Sequence, residues 1–299
     1  MASNMADAPI YIHAGAHRTG TSSFQLCLHE NRQLLDQQGW TTAYPGRDGI
    51  PSGELALRLP SGRRIDQKAA AAKAAGTLSA YRDGRPVILS EENITGRMYN
   101  FMQGQFYPFA EQRCVALRAA WDGPIAHVLL VVRPYDQLFV SAYRKRAEDN
   151  AMPDFDEVRD GYINIDRGWP ELVQGIYEAL QPDRMTVVPY SARGTNVDLL
   201  QRLVPNLPRD GLVEPERVVN KSATDAALEI LQGHYRSGKK LSRDAWTGII
   251  AAHADDKESR GIAVFSGKEK AALAARYASD LKQIEWMQQI SFVSPFPAP

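Results

Sequence analysis

Apolar positions along this chain fall into blocks of two periods, and the blocks predict strands alternating with helices. Four short runs rich in Val and Ile are bounded by Gly, Pro or charged residues and predict buried strands: Ile10–Ala14, Pro86–Ser90, His127–Val132 and Met185–Pro189. Between them the period lengthens. Thr21–Gln38 sets Phe24, Cys27, Leu28, Leu34 and Leu35 near one helical face and stops at Gly39. Ile65–Tyr81 is rich in Ala, the strongest intrinsic helix former, and Tyr135–Glu148 and Pro170–Leu180 read as further helices. After Tyr190 the strand signal fades, and Thr224–Tyr235 and Lys268–Gln288 predict helices. In the second, Leu273, Tyr277, Leu281 and Ile284 form a core stripe.

This alternation predicts an α/β fold: three layers, a mainly parallel sheet flanked by helices, with a helical C-terminal part. No repeat or long linker divides the chain. Residues 1–299 therefore read as a single domain, with a sheet-bearing core over 8–192 and a mainly helical extension over 193–299. Arg47–Arg64, rich in Gly, Pro and Arg, reads as a surface loop, and Ser294–Pro299 as a frayed tail.

Composition narrows the function. Hydrophobic residues make up 44% and charged residues 23% of 299, the balance of a globular chain. Lys plus Arg and Asp plus Glu are both 35, so the basic excess of a general nucleic-acid binder is missing. Cys27 and Cys114 lack metal-ligand spacing, and no metal site is expected. Met1–Pro9 has no apolar stretch suited to a signal peptide, and the apolar run at Ile125–Val132 is too short to span a bilayer. A cytoplasmic protein without a membrane span is the expectation.

The most informative stretch is His13-Ala-Gly-Ala-His-Arg-Thr-Gly-Thr-Ser-Ser23, between the first strand and the first helix. Amides at a helix N-terminus point at whatever anion sits there. Gly15 and Gly20 allow a tight turn, Thr21, Ser22 and Ser23 add hydroxyls, and Arg18 adds charge. A Walker A loop places Lys directly after its second Gly, whereas here Thr21 follows Gly20. The stretch resembles the 5′-phosphosulfate-binding loop of sulfotransferases that use 3′-phosphoadenosine-5′-phosphosulfate (PAPS). It is most similar to their bacterial, sulfotransferase-like branch with a P-loop-like sheet. His13, Gly15, Thr19, Gly20, Thr21, Ser23 and Gln25 carry the likeness, and Arg18 stands where that family has Lys. The resemblance implies that Arg18, Thr19, Gly20, Thr21, Ser22 and Ser23 bind PAPS, with Arg18 also stabilising the leaving oxygen.

A second likeness follows the third predicted strand. Arg133 and Ser141 have the spacing with which this family grips the donor's 3′-phosphate, so the resemblance gives them that role. Pro86–Ser90 runs into Glu91-Glu92-Asn93, and ligands bind at the C-terminal ends of strands in open α/β sheets. Strand residues alternate sides, so one of the two glutamates should face the cleft. We expect Glu92 to be the catalytic base that deprotonates an acceptor hydroxyl. His13 and His17 are rival bases. Arg144-Lys-Arg146 reads as a solvated helix face. Asn220 to Ser222 either contacts the nucleotide or caps the next helix. Arg47–Arg64 and Met98–Pro108 are the expected acceptor walls.

The implied reaction moves a sulfuryl group from PAPS to the hydroxyl of a carbohydrate, lipid or small molecule, leaving adenosine 3′,5′-bisphosphate. Two alternatives stay open. A P-loop nucleotide kinase would use the Val87–Glu92 strand as a metal-holding element, and a non-catalytic nucleotide-binding homologue would explain Arg18 in place of Lys.

Overall fold

The four Val/Ile-rich runs become neighbours in one parallel sheet. A computed structural model describes residues 8–47, 50–62, 65–216 and 222–294. Its strands are β1 (Ile10–His13), β2 (Thr41–Ala43), β3 (Pro45–Arg47), β4 (Ile50–Glu54), β5 (Val87–Ser90), β6 (Ile125–Val132), β7 (Met185–Pro189) and β8 (Ile290–Phe292). Its helices are α1 (Thr21–Glu30), α2 (Arg32–Gln37), α3 (Gln67–Leu78), α4 (Ala110–Ala120), α5 (Tyr135–Ala147), α6 (Phe155–Ile163), α7 (Trp169–Leu180), α8 (Asn196–Leu203), α9 (Asp225–Arg236), α10 (Arg243–Ala252) and α11 (Gly267–Glu285).

Six strands pair in the order β2-β5-β1-β6-β7-β8, every neighbouring pair parallel. The central strands are apolar on both faces because both faces are covered. Val128, Leu130 and Val132 of β6 join one core with residues of α4, α5, α7 and α11. Leu129 and Val131 join a second core with residues of α1 and α8. This is a three-layer α/β arrangement. From β1 the chain moves to one side of the sheet, and from β6 to the other. The C-terminal ends of β1 and β6 therefore flank a switch point, where ligands bind in open α/β sheets.

The structure corrects the sequence expectations at three places. The helix expected over Thr21–Gln38 breaks at Asn31, because its side chain clips another segment. Asn31 Nδ2 donates to the Val213 carbonyl at 2.8 Å, and Oδ1 accepts from the Val213 amide at 2.7 Å. The surface loop expected over Arg47–Arg64 instead contributes β4 and the strictly alternating, buried Leu55, Leu57 and Leu59. The sheet also continues past residue 192, since β8 pairs with β7 at its edge. No helix among the described residues is long and apolar enough to cross a membrane.

Candidate functional site

The turn after β1 is an unusual piece of backbone. Gly15, Ala16, Arg18 and Gly20 all have positive φ, between 64° and 92°. The Ala16 amide turns back onto the Ala14 carbonyl at 3.1 Å, while positive φ at Arg18 and Gly20 alternates with their neighbours, a pattern that suits an anion-binding concavity. Thr19 Oγ donates to the Gly15 and Ala16 carbonyls, and Thr21 Oγ donates to the Ala16 carbonyl at 3.1 Å. These hydroxyl protons are committed to shaping the turn, so what the two threonines can offer an anion is their backbone N–H. The first α1 amide with a helical acceptor is that of Phe24, bonded to the Gly20 carbonyl at 3.1 Å. The amides of Thr21, Ser22 and Ser23 precede it, in the first turn, where the positive end of the helix dipole favours an anion. Ser22 is buried and Ser23 half-buried.

The second motif meets this turn directly. Arg133, just beyond β6, donates from Nη1 to the Arg18 carbonyl at 2.6 Å. Arg18 Nε donates to Ser141 Oγ at 2.8 Å, and its Nη2 to Ser222 Oγ at 3.2 Å. The Arg18 side chain thus spans from the glycine turn to α5, joining two loci that the sequence suggested as separate cradles. Burial pushes its pKa down, the Glu148 carboxylate raises it, Arg133 lowers it, and Glu92 and Tyr190 raise it. It remains a cation. Asn220 and Lys221 lie outside the described residues; of that segment, Ser222 reaches the site.

Arg193 completes the cluster, and sequence reasoning missed it. The Arg193 guanidinium packs on the turn itself: a Cβ at Gly20 would lie 3.0 Å from its guanidinium carbon and push it outward. Arg133 and Arg193 flank the Tyr190 ring, their guanidinium carbons 4.8 and 5.9 Å from its centroid. The Nε of each is buried without a hydrogen-bond partner. The signal was available: Arg193 follows the fourth apolar run, at the same sheet edge as the other two motifs.

At the tip of β5 the two glutamates part company. Glu91 is buried, and its Oε1 accepts from the Asn93 amide at 2.8 Å and from Asn93 Nδ2 at 2.9 Å. Glu92 is less buried and places Oε1 3.4 Å from His17 Nδ1. His17 Nε2 is buried without a partner. His13 instead faces inward, with Nδ1 2.9 Å from Ser90 Oγ and its ring against Phe24. Burial, helped by nearby Arg193, lowers its pKa to about 3. So weak a base, held among core groups, is no rival to Glu92, whereas His17 touches it.

The Arg144-Lys-Arg146 run is not a solvated face. Arg144 pairs with Asp225 and donates to the Ala223 carbonyl at 2.6 Å, while Lys145 pairs with Glu148. Arg146 lies over the Tyr99 ring, 5.4 Å from its centroid. The partners of Arg144 and Arg146 are remote in the chain, whereas Glu148 lies one helical turn from Lys145. Tyr143, on the same helix, packs on Phe155 and donates to the Pro153 carbonyl at 2.7 Å.

A cavity of about 400 Å³ opens beside His17, lined also by Asn93, Arg97, Met98, Tyr99 and Arg146. A second, of about 180 Å³, shares Arg97 and Tyr99 and reaches Ser61 and Asn100. Both segments expected as acceptor walls therefore contribute to this region. Its floor is set by Arg113, buried on α4. Its Nε donates to the Asn93 carbonyl at 2.9 Å and its Nη1 to the Leu59 carbonyl at 2.9 Å. Burial lowers its pKa to about 10. Among the described residues no group of three or more His, Cys, Asp or Glu is placed to hold a metal ion.

No family model, curated protein or solved structure matches this chain, so the site is read from its own geometry.

Proposed function

We propose that this chain is a PAPS-dependent sulfotransferase with a P-loop-like fold, carrying a sulfuryl group to an acceptor hydroxyl. The observation that carries the reading is the convergence of Arg18, Arg133 and Ser141 at one switch point, although they lie 115 and 123 residues apart along the chain. A doubly phosphorylated adenosine carries several negative charges close together. The groups here suit it: a left-handed turn of amides, three guanidinium groups and two serine hydroxyls. The buried Nε atoms of Arg133 and Arg193 leave donors to satisfy.

In this reading the turn amides and Arg18 hold the 5′-phosphosulfate, and Arg133 and Ser141 the 3′-phosphate. Arg18 lies across both, because its side chain already reaches Ser141. Glu92, with His17 beside it, takes the proton of the acceptor hydroxyl as its oxygen attacks sulfur. The bond from sulfur to the bridging 5′-phosphate oxygen breaks, and adenosine 3′,5′-bisphosphate leaves with the electron pair. Arg18 and the amides stabilise the charge that grows there. Positioning and electrostatics do most of this work, as in phosphoryl transfer.

Transfer of label from ³⁵S-PAPS to a panel of hydroxyl acceptors, without added metal, tests the proposal. Label should appear in product with wild type and fall by about a hundredfold or more with Glu92→Gln, the loss expected for a general base. Magnesium-dependent hydrolysis of ATP with no use of PAPS would move the assignment to a nucleotide kinase.

A further inference from the structure

The cavity beside His17 has a chemistry of its own, and its composition bears on the acceptor. Of its six lining residues, His17, Asn93, Arg97 and Arg146 are polar, so a lipid chain or an apolar phenol has little to bury against. Two of the four are arginines. Neither Arg97 nor Arg146 forms an ion pair among the described residues, in contrast to the neighbouring Arg144 and Lys145. Arg97 is exposed, and the Nε of Arg146 is buried without a hydrogen-bond partner.

The carboxylates at the edge of this cavity are otherwise engaged: Glu91 accepts from Asn93, and Glu92 faces His17. The cavity thus carries a net positive lining. Tyr99 is 43% exposed, with Arg146 against its ring, which leaves an aromatic edge beside two guanidinium groups. His17, 8% exposed, contributes a buried Nε2 with no partner at the end nearest Glu92. A hydroxyl at that end would meet the proton acceptor, and an anionic group further out would meet Arg97 and Arg146. The second cavity, of about 180 Å³, lies on the other side of the shared Arg97 and Tyr99.

We infer that the cavity is the acceptor site and that it takes a saccharide bearing an oxyanion, a carboxylate or a sulfate, which Arg97 and Arg146 read. The inference rests on the transferase reading for the word acceptor, but not for the ligand class. A guanidinium-to-oxyanion contact is charge-assisted and discriminates against a neutral isostere by about tenfold or more.

Two readouts keep the two ideas apart. The first is equilibrium binding, without donor, of 4-nitrophenyl β-D-glucuronide, its neutral glucuronamide counterpart and the 6-O-sulfated glucoside. Wild type should bind one or both anions about tenfold tighter than the amide, and the ratio should approach one in Arg97→Gln and in Arg146→Gln. Arg97 is exposed, so that variant will fold even if the other does not. The carboxylate and sulfate arms show which oxyanion is preferred. Equal binding of the amide and both anions, or a ratio that survives both substitutions, would overturn the inference. The second readout is ³⁵S transfer from PAPS to the same compounds. Arginine-dependent binding without transfer would strike the transferase reading and leave the ligand class standing. Transfer with no preference for charge would do the reverse.

Discussion

Gly15 and Glu92 are locked together at the tips of adjacent strands: a Cβ at Gly15 would lie 2.5 Å from the Glu92 Cα. Gly15 also has a φ of 67°, which a side chain resists. Gly15→Ala therefore meets both a backbone strain and a clash that only movement of the 91–93 segment relieves. We expect a loss of about 3 kcal/mol in urea unfolding, from those two costs together. Transfer activity should fall further than stability alone explains, because the carboxylate at 92 is displaced. Wild-type activity in the folded variant would show that the glutamate's position is not set by this contact.

The Arg18–Ser141 contact makes a second prediction. Ser141→Ala should weaken binding of adenosine 3′,5′-bisphosphate by about tenfold, and Arg18→Gln by about a hundredfold, the range for neutral and charged donors to an anion. Calorimetric titration measures both. Because the two side chains touch at 2.8 Å, the double variant should lose less than the product of the single losses. Arg18→Lys keeps the charge but cannot reach both Ser141 and Ser222 in the same way. A gain of transfer in that variant over wild type would indicate that arginine here has sacrificed turnover for binding.

His17 beside Glu92 makes a third. If the pair acts together on the acceptor proton, Glu92→Gln lowers kcat without loss of bisphosphate binding. His17→Gln keeps bisphosphate binding and lowers kcat by a smaller factor than Glu92→Gln, since it removes the group 3.4 Å from the carboxylate and leaves the carboxylate in place. Steady-state kcat and calorimetric titration of both variants read this out. An unchanged kcat in His17→Gln would reduce His17 to a wall of the cavity.

Much of this was legible in the chain because the elements concerned are local. The turn, its strand and its helix are contiguous between Ile10 and Glu30, and the strand-to-helix step at Arg133 repeats the pattern. Apolar runs bounded by breakers located β1, β5, β6 and β7, since a strand covered on both faces must be apolar throughout. Short edge strands left no such mark: β2 and β8 have three residues each and bury little. The alternation of Leu55, Leu57 and Leu59 was present, but Gly, Pro and Arg around it suggested a loop. Arg113 looks like any surface arginine in sequence, and Arg193 is marked only by its place after the fourth apolar run. Their roles come from carbonyls and rings that only the folded chain brings near, as does the pairing of Arg144 with Asp225, 81 residues away.

Two buried histidines govern a fourth prediction. His127 Nδ1 donates to the Leu203 carbonyl at 2.7 Å, and Nε2 then accepts from the Thr186 hydroxyl at 2.8 Å, so the neutral ring fits. Burial lowers its pKa from 6.5 to about 4, as it lowers that of His13 to about 3. On acidification the unfolded chain takes up these protons first. The stability that comes from keeping both rings neutral is whole above pH 6.5 and is lost progressively on the way down to those native values. His127→Gln should flatten the decline between pH 6.5 and 4 by up to about 1.4 kcal/mol per pH unit, the weight of one proton. Urea unfolding at successive pH values measures the slope; parallel curves for variant and wild type would contradict the assignment.

The most direct measurement compares the affinity of this protein for adenosine 3′,5′-bisphosphate with that for adenosine 5′-monophosphate. If Arg133, Ser141 and the left-handed turn grip one nucleotide at both ends, the bisphosphate binds about a hundredfold tighter, and Ser141→Ala erodes that advantage. Equal affinities, unchanged by the substitution, would contradict the account at its base.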